Sequence, residues 1–170
     1  LAAGGAFGAL SLPGVGIVPE AWGAPPANRV VRIHCGTMQD WNFSDPGHRF
    51  PDTRHDHILA SCEASLQRLQ TDHIDLYQIH AWDALIRPEE VAAAFGKLQR
   101  EGKVRWFGVS NWNRAQMAML QKYFPIESLQ PHYNLLFRDI EAEELPYCLE
   151  ERMGVIPYSP LYRGLLSGKY

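Results

Sequence analysis

Apolar residues return along the chain in two rhythms. Short runs rich in β-branched and aromatic side chains alternate with tracts in which apolar residues fall three and four positions apart, the marks of buried strands and of amphipathic helices respectively. The clearest run is Thr71-Asp72-His73-Ile74-Asp75-Leu76-Tyr77-Gln78-Ile79-His80, apolar at Ile74, Leu76, Tyr77 and Ile79 and closed by an imidazole. Similar runs predict strands over 29–34 (Val30, Val31 and Ile33, then His34), 104–109, 126–130 and 155–158. Between them, Ile58, Leu59, Cys62, Leu66 and Leu69 predict a helix over 56–69. Val91, Phe95 and Leu98 predict a second, opened by Pro88-Glu89-Glu90 and stopped near Gly102. Proline suits a first turn because the N–H it lacks has no helical partner there, and the two acids sit at the positive end of the helix dipole. Met117, Leu120 and Phe124 predict a third helix over 113–124, ended by Pro125. Residues 141–153 read as a fourth, with Pro146 in its first turn or kinking it, and Gly154 ending it.

Strands alternating with single helices imply βαβ units and a parallel sheet, so the fold class is α/β. In such folds the carboxyl ends of the strands face the active site. Six polar or aromatic residues end predicted strands on that side: His34, His80, Ser110 with Asn111, Gln130 and Tyr158. Taken singly, each has a bland explanation: a hydrogen-bonded histidine, a strand-end turn, a buried amide, a core aromatic. Together, all on one end of one sheet, they favour a site.

Composition narrows the classes. The 170 residues are 46% hydrophobic and 21% charged, enough for a globular core. A net charge of -3, with a pI of about 6.2, leaves no basic cluster to neutralise phosphates, so nucleic acid is not expected as a partner. Cys35, Cys62 and Cys148 lie far apart without a C-x-x-C pair, which fits buried reduced thiols rather than a disulfide framework or a metal site. Gly164-Leu165-Leu166-Ser167-Gly168-Lys169 lacks the spacing and the hydroxyl residue of a phosphate-binding loop. Residues 37–53 are polar, turn-rich and aromatic, as suits a long loop near a site. Residues 1–16 carry no charge, and 19–26 are rich in Pro, Ala and Gly. They read either as a signal remnant without a basic start or as a loosely structured leader, and glycines and prolines interrupt them too early for a membrane span. Two segments follow: 1–28, poorly structured or signal-like, and 29–170, the folded domain.

Three stretches carry a resemblance. Residues 68–80 (Arg68 to His80), Gly102-Lys103-Val104-Arg105-Trp106-Phe107-Gly108-Val109-Ser110-Asn111 and Gly154-Val155-Ile156-Pro157-Tyr158-Ser159-Pro160-Leu161 resemble, in order, the aldo/keto reductase family of (β/α)8-barrel oxidoreductases. The resemblance implies a partial TIM barrel comprising strands three to seven. It further implies NAD(P)H-dependent reduction of a small-molecule aldehyde or ketone, with NADP(H) as cofactor. It matches His80 to the histidine that orients the carbonyl, Ser110, Asn111 and Gln130 to the groups that hydrogen-bond the nicotinamide carboxamide, and Tyr158 to the ring on which the nicotinamide stacks. Ser159 and Leu161 match positions lining the cofactor path. The family's proton-donor tyrosine, in an Asp-Thr-Ala-x-x-Tyr-Gly-like stretch, has no counterpart here, and His34 stands where the family has a lysine. The eighth strand and its basic cofactor-phosphate residues are likewise unmatched. Poor activity is therefore expected, with two alternatives: a non-catalytic nicotinamide-binding or regulatory module, and a fragment without independent function. A cytoplasmic location is expected, with export the alternative if 1–24 is a signal remnant; no feature of the sequence sets an oligomeric state.

The composition of residues 1–28 predicts rapid amide exchange throughout that segment. Exchange measured by mass spectrometry should show it unprotected, and strong protection there would contradict the assignment.

Overall fold

The computed structural model describes residues 33–35, as backbone, and 52–169. The expectations for 1–28 and for most of the 37–53 loop lie outside the described residues. Five strands form one sheet: β1 (Ile33–Cys35), β2 (Ile74–Ile79), β3 (Val104–Ser110), β4 (Ser128–Gln130) and β5 (Gly154–Val155). All neighbouring pairs are parallel, and spatial order equals sequence order. One helix lies in each crossover: α1 (His55–Leu69), α2 (Pro88–Arg100), α3 (Arg114–Gln121) and α4 (Glu144–Glu150). Since parallel crossovers share one hand, a strand order that never reverses puts every helix on the same face of the sheet. That is the arrangement of a (β/α)8 barrel rather than of a doubly wound sheet, and the chain forms part of such a barrel.

The helices begin and stop for local reasons. Pro88 opens α2, followed by Glu89 and Glu90, and Gly102 at φ 70° follows its last turn. Asn113 caps α3 reciprocally with Gln116, each side chain accepting the other's backbone N–H at 2.9 Å. The fourth helix is shorter than its apolar pattern predicts: a 3-10 turn at Asp139–Glu141 precedes α4, which starts at Glu144. Pro146, third in α4, is confined to a first turn because it has no N–H to give an earlier carbonyl. The last strand is also shorter than predicted. Pro157 interrupts it, although Ile156 N–H donates to Leu129 O at 2.9 Å and Tyr158 N–H to Pro131 O at 2.9 Å.

The sheet has two faces. Toward the helices, Tyr77 stands level with Phe107 and Ile79 with Val109. Phe107 stacks on Phe95 of α2 with centroids 4.2 Å apart, and Phe124 closes edge-on against both. On the opposite face Gln78, Gly108, Ser128 and Gly154 form one row. Gln78 donates to Ser128 Oγ at 3.1 Å across Gly108, where a Cβ would fall 2.1 Å from that oxygen. Any side chain at Gly108 would therefore push β3 and β4 apart. The interior so formed is buried at both faces of β2, as the unbroken run from Ile74 to Ile79 requires.

Cys62 and Cys148 lie in the core, and burial pushes their thiols up from 9.0, to about 12 and about 11. Their contribution to stability is full below about pH 9 and is lost as pH rises toward those values. At mildly alkaline pH a thiol reagent should leave both unreacted in the native chain, and denaturant should release two further equivalents. Full reaction without denaturant would show that the core opens.

Candidate active site

The parallel register brings the strand ends together. Ile79 pairs with Val109, and Ser110 with Gln130, so His80, Ser110 and Gln130 fall in one row at the carboxyl edge. Asn111 follows directly, at φ 60°. An L-residue reaches this left-handed conformation at a cost that asparagine tolerates better than most. It turns the chain out of β3 and presents the amide above the row.

One chain of hydrogen bonds joins three strand ends. Tyr158 Oη donates to Asn111 Oδ1 at 2.9 Å, Asn111 Nδ2 donates to Ser110 Oγ at 3.1 Å, and Ser110 Oγ donates to Gln130 O at 2.9 Å. The same carbonyl accepts Asn111 N–H at 3.1 Å. A longer bond, 3.4 Å, runs from Asn111 Nδ2 to His80 O and draws β2 into the cluster. Ser110 is buried at 2% exposure while Tyr158 is 40% exposed, so the polar chain runs from the interior to an accessible ring.

The structure thus gathers His80, Ser110, Asn111, Gln130 and Tyr158, and it separates His34 from them. His34 does not end its strand: β1 runs on to Cys35, and the register sets His34 level with Tyr77, three residues before His80. At about 3.3 Å per residue, its backbone stands roughly 10 Å short of the row. Ser159 and Leu161 make only backbone contacts of the turn beyond Tyr158. Ser159 O accepts Asn134 Nδ2 at 3.1 Å, and Leu161 O accepts the N–H groups of Gly164 and Leu166 at 2.9 and 3.1 Å.

Several supports escape a reading of the sequence. Asp83, nearly buried, accepts Thr53 N–H at 3.2 Å and Leu85 N–H at 2.9 Å, fixing the loop that follows His80. Trp82 and Trp112 meet edge to face at 4.7 Å, bracing the loops after β2 and β3 against each other. Aspartate soon after a strand is a turn signal, whereas nothing in the spacing of the two tryptophans announces their pairing. Beyond Asn111 opens a cavity of about 270 Å³ lined by Trp112, His132, Asp139 and Glu144 among others. Among the described residues no group of His, Cys, Asp or Glu converges as a metal site, and no helix is long and apolar enough to cross a membrane.

The sequence profile described as "Aldo/keto reductase family" matches residues 20–170. The chain belongs to the aldo/keto reductase family. It is 40% identical over 139 residues to the aldo-keto reductase YhdN of Bacillus subtilis, a match covering 82% of this chain and 41% of that one. It is 36% identical over 166 residues to the aldo-keto reductase dtxS3 of Metarhizium robertsii, covering 84% and 45%. Among solved structures it resembles the glycerol dehydrogenase AKR11B4 of Gluconobacter oxydans, with a TM-score of 0.69 and 40% identity over 71% of this chain and 37% of that one. An aldo/keto reductase of Klebsiella pneumoniae, solved with NADP and acetate, gives 0.61 and 36% over 68% and 42%. The aldo/keto reductase chain described here therefore spans less than half the length of the curated relatives it matches.

Asn111 is constrained twice, by backbone and by amide. Replacing it with Gly removes its side-chain hydrogen bonds, each worth about 1 kcal/mol net; replacing it with Val adds about 1–2 kcal/mol of left-handed strain. Urea unfolding should therefore rank wild type above Asn111→Gly and Asn111→Gly above Asn111→Val. An Asn111→Val midpoint equal to that of Asn111→Gly would mean the turn is not held at positive φ.

Proposed function

We propose that this row is the nicotinamide and carbonyl site of an NADP(H)-dependent oxidoreductase that reduces aldehydes or ketones by hydride transfer. The observation that carries the reading is the Tyr158–Asn111–Ser110–Gln130 hydrogen-bond chain beside His80, at the carboxyl ends of parallel strands. The residues fit a nicotinamide by their chemistry. A carboxamide needs both donors and acceptors, which the Ser110 hydroxyl and the Asn111 amide would offer on exchanging their present partners and which the Gln130 side chain carries as a residue type. A flat heteroaromatic ring needs an accessible aromatic face whose position is fixed, and the Tyr158 hydroxyl is anchored while its ring is partly open. When bound, the cofactor supplies hydride to a carbonyl carbon.

The chain's own residues orient, donate and exclude. His80 presents an imidazole at the row's edge, where it can donate a hydrogen bond to a substrate oxygen as negative charge develops. Its backbone carbonyl is tied to Asn111, so the histidine's strand end and the carboxamide site keep a fixed spacing. The Trp82–Trp112 contact holds the loops after β2 and β3, and with them the approach to His80, in a fixed arrangement.

The second reading, a non-catalytic nicotinamide-binding module, is favoured by one departure: His34 occupies the position that the resemblance assigns to a lysine, and imidazole gives no permanent cation to lower the pKa of a proton donor. The two readings part on turnover.

NADPH oxidation with a reactive aldehyde or quinone should be slower in this chain than in one extended with the segments of a full-length relative, by about 10²- to 10⁴-fold, the usual contribution of general acid catalysis. NADPH fluorescence titration alongside should still detect binding. Comparable turnover in the two proteins, abolished by His80→Ala, would make the histidine a sufficient acid and defeat the non-catalytic reading.

A further inference from the structure

We propose that His132 is a positioning residue for the nicotinamide platform, backing the ring of Tyr158 so that one face alone receives the cofactor. The proposal rests on the reading of Tyr158 as that platform. His132 lies just beyond β4 and forms an isolated parallel bridge with Tyr158, whose N–H donates to Pro131 O. The two rings stack, with centroids 5.1 Å apart and planes inclined by 17°. Phe137 packs on the imidazole at 4.5 Å and Tyr162 on Phe137 at 5.2 Å, so the aromatic cluster continues beyond His132. Tyr158 is thus held by its hydroxyl, its backbone N–H and its ring contact with His132.

Asn134 fixes the orientation of the imidazole. Its Oδ1 is committed to two backbone donors, Leu136 N–H at 2.9 Å and Phe137 N–H at 3.1 Å. The amide nitrogen must then face the other way, toward Ser159 O at 3.1 Å and His132 Nε2 at 3.3 Å. The contact at Nε2 fixes the plane of the imidazole against the Tyr158 ring. The same asparagine ties both β4's extension and the turn after Tyr158, so the platform and its backing are positioned by one side chain.

The test uses the full chain and NADPH as the probe, with affinity read from nicotinamide fluorescence and folding read from the urea midpoint. Losing one aromatic contact should weaken NADPH binding about two- to tenfold in His132→Ala, and His132→Phe, which restores a flat ring, should recover most of it. If His132→Ala fails to fold, His132→Leu, of similar bulk but without a π face, takes its place and should bind as weakly. Tyr158→Ala separates the two claims. Loss of binding in Tyr158→Ala with wild-type binding in His132→Ala or His132→Leu overturns the role of His132 and leaves the platform standing. Unchanged binding in Tyr158→Ala, or no NADPH binding by the wild-type chain, overturns the platform and this proposal together. His132→Phe binding as weakly as His132→Ala would show that stacking is not the cause, and would also overturn it.

Discussion

Strands β2, β3 and β4 stand in register because nothing projects from Gly108. Gln78 spans that gap to Ser128 on the interior face, and this close approach sets which residues share the rows beyond it. Two residues further along each strand come His80, Ser110 and Gln130. The separation of these groups is therefore a property of the backbone ladder rather than of any side chain at the edge. A hydrogen-bonding site built in this way inherits the rigidity of the sheet and needs only short local links to finish it. Gln130 O, accepting from both Ser110 and Asn111, supplies two of those links.

Much of this was legible in the sequence because each element carries its own local signal. The run from Ile74 to Ile79 and the Pro88-Glu89-Glu90 opening act within a few residues, and the structure uses them as written. What escaped is non-local. His34 looks like a strand terminus in the sequence, but its level in the sheet depends on hydrogen bonds to β2, which no pattern within 29–34 encodes. The fourth helix, expected over 141–153, runs only over Glu144–Glu150, because the turn that ends at Glu141 and the stop after Glu150 are set by packing against neighbouring elements rather than by a local signal. His132 shows no periodicity and ends no strand. Its contact with Tyr158 exists only because β4 and β5 continue side by side past their regular ends.

Family membership and geometry contribute different things. The relatives point to the class of reaction. The hydrogen bonds explain how a serine, an asparagine and a tyrosine from two strands become one surface, with amide orientation fixed at Asn111 by the His80 carbonyl, which can only accept, and at Asn134 by two backbone donors. Twice, then, an asparagine translates backbone order into the direction of a donor, a task that leucine or alanine of similar helix or loop tolerance could not perform.

Pro157 limits what can pair along the outer side of β5. Along β5 the N–H groups of Gly154, Ile156 and Tyr158 turn toward β4, so the intervening positions 155 and 157 face the opposite side. Proline at the second of these leaves that side without a donor there. Any strand laid along that side of β5 would meet a broken template after a single bond, so its register there is limited by the proline rather than by its own sequence.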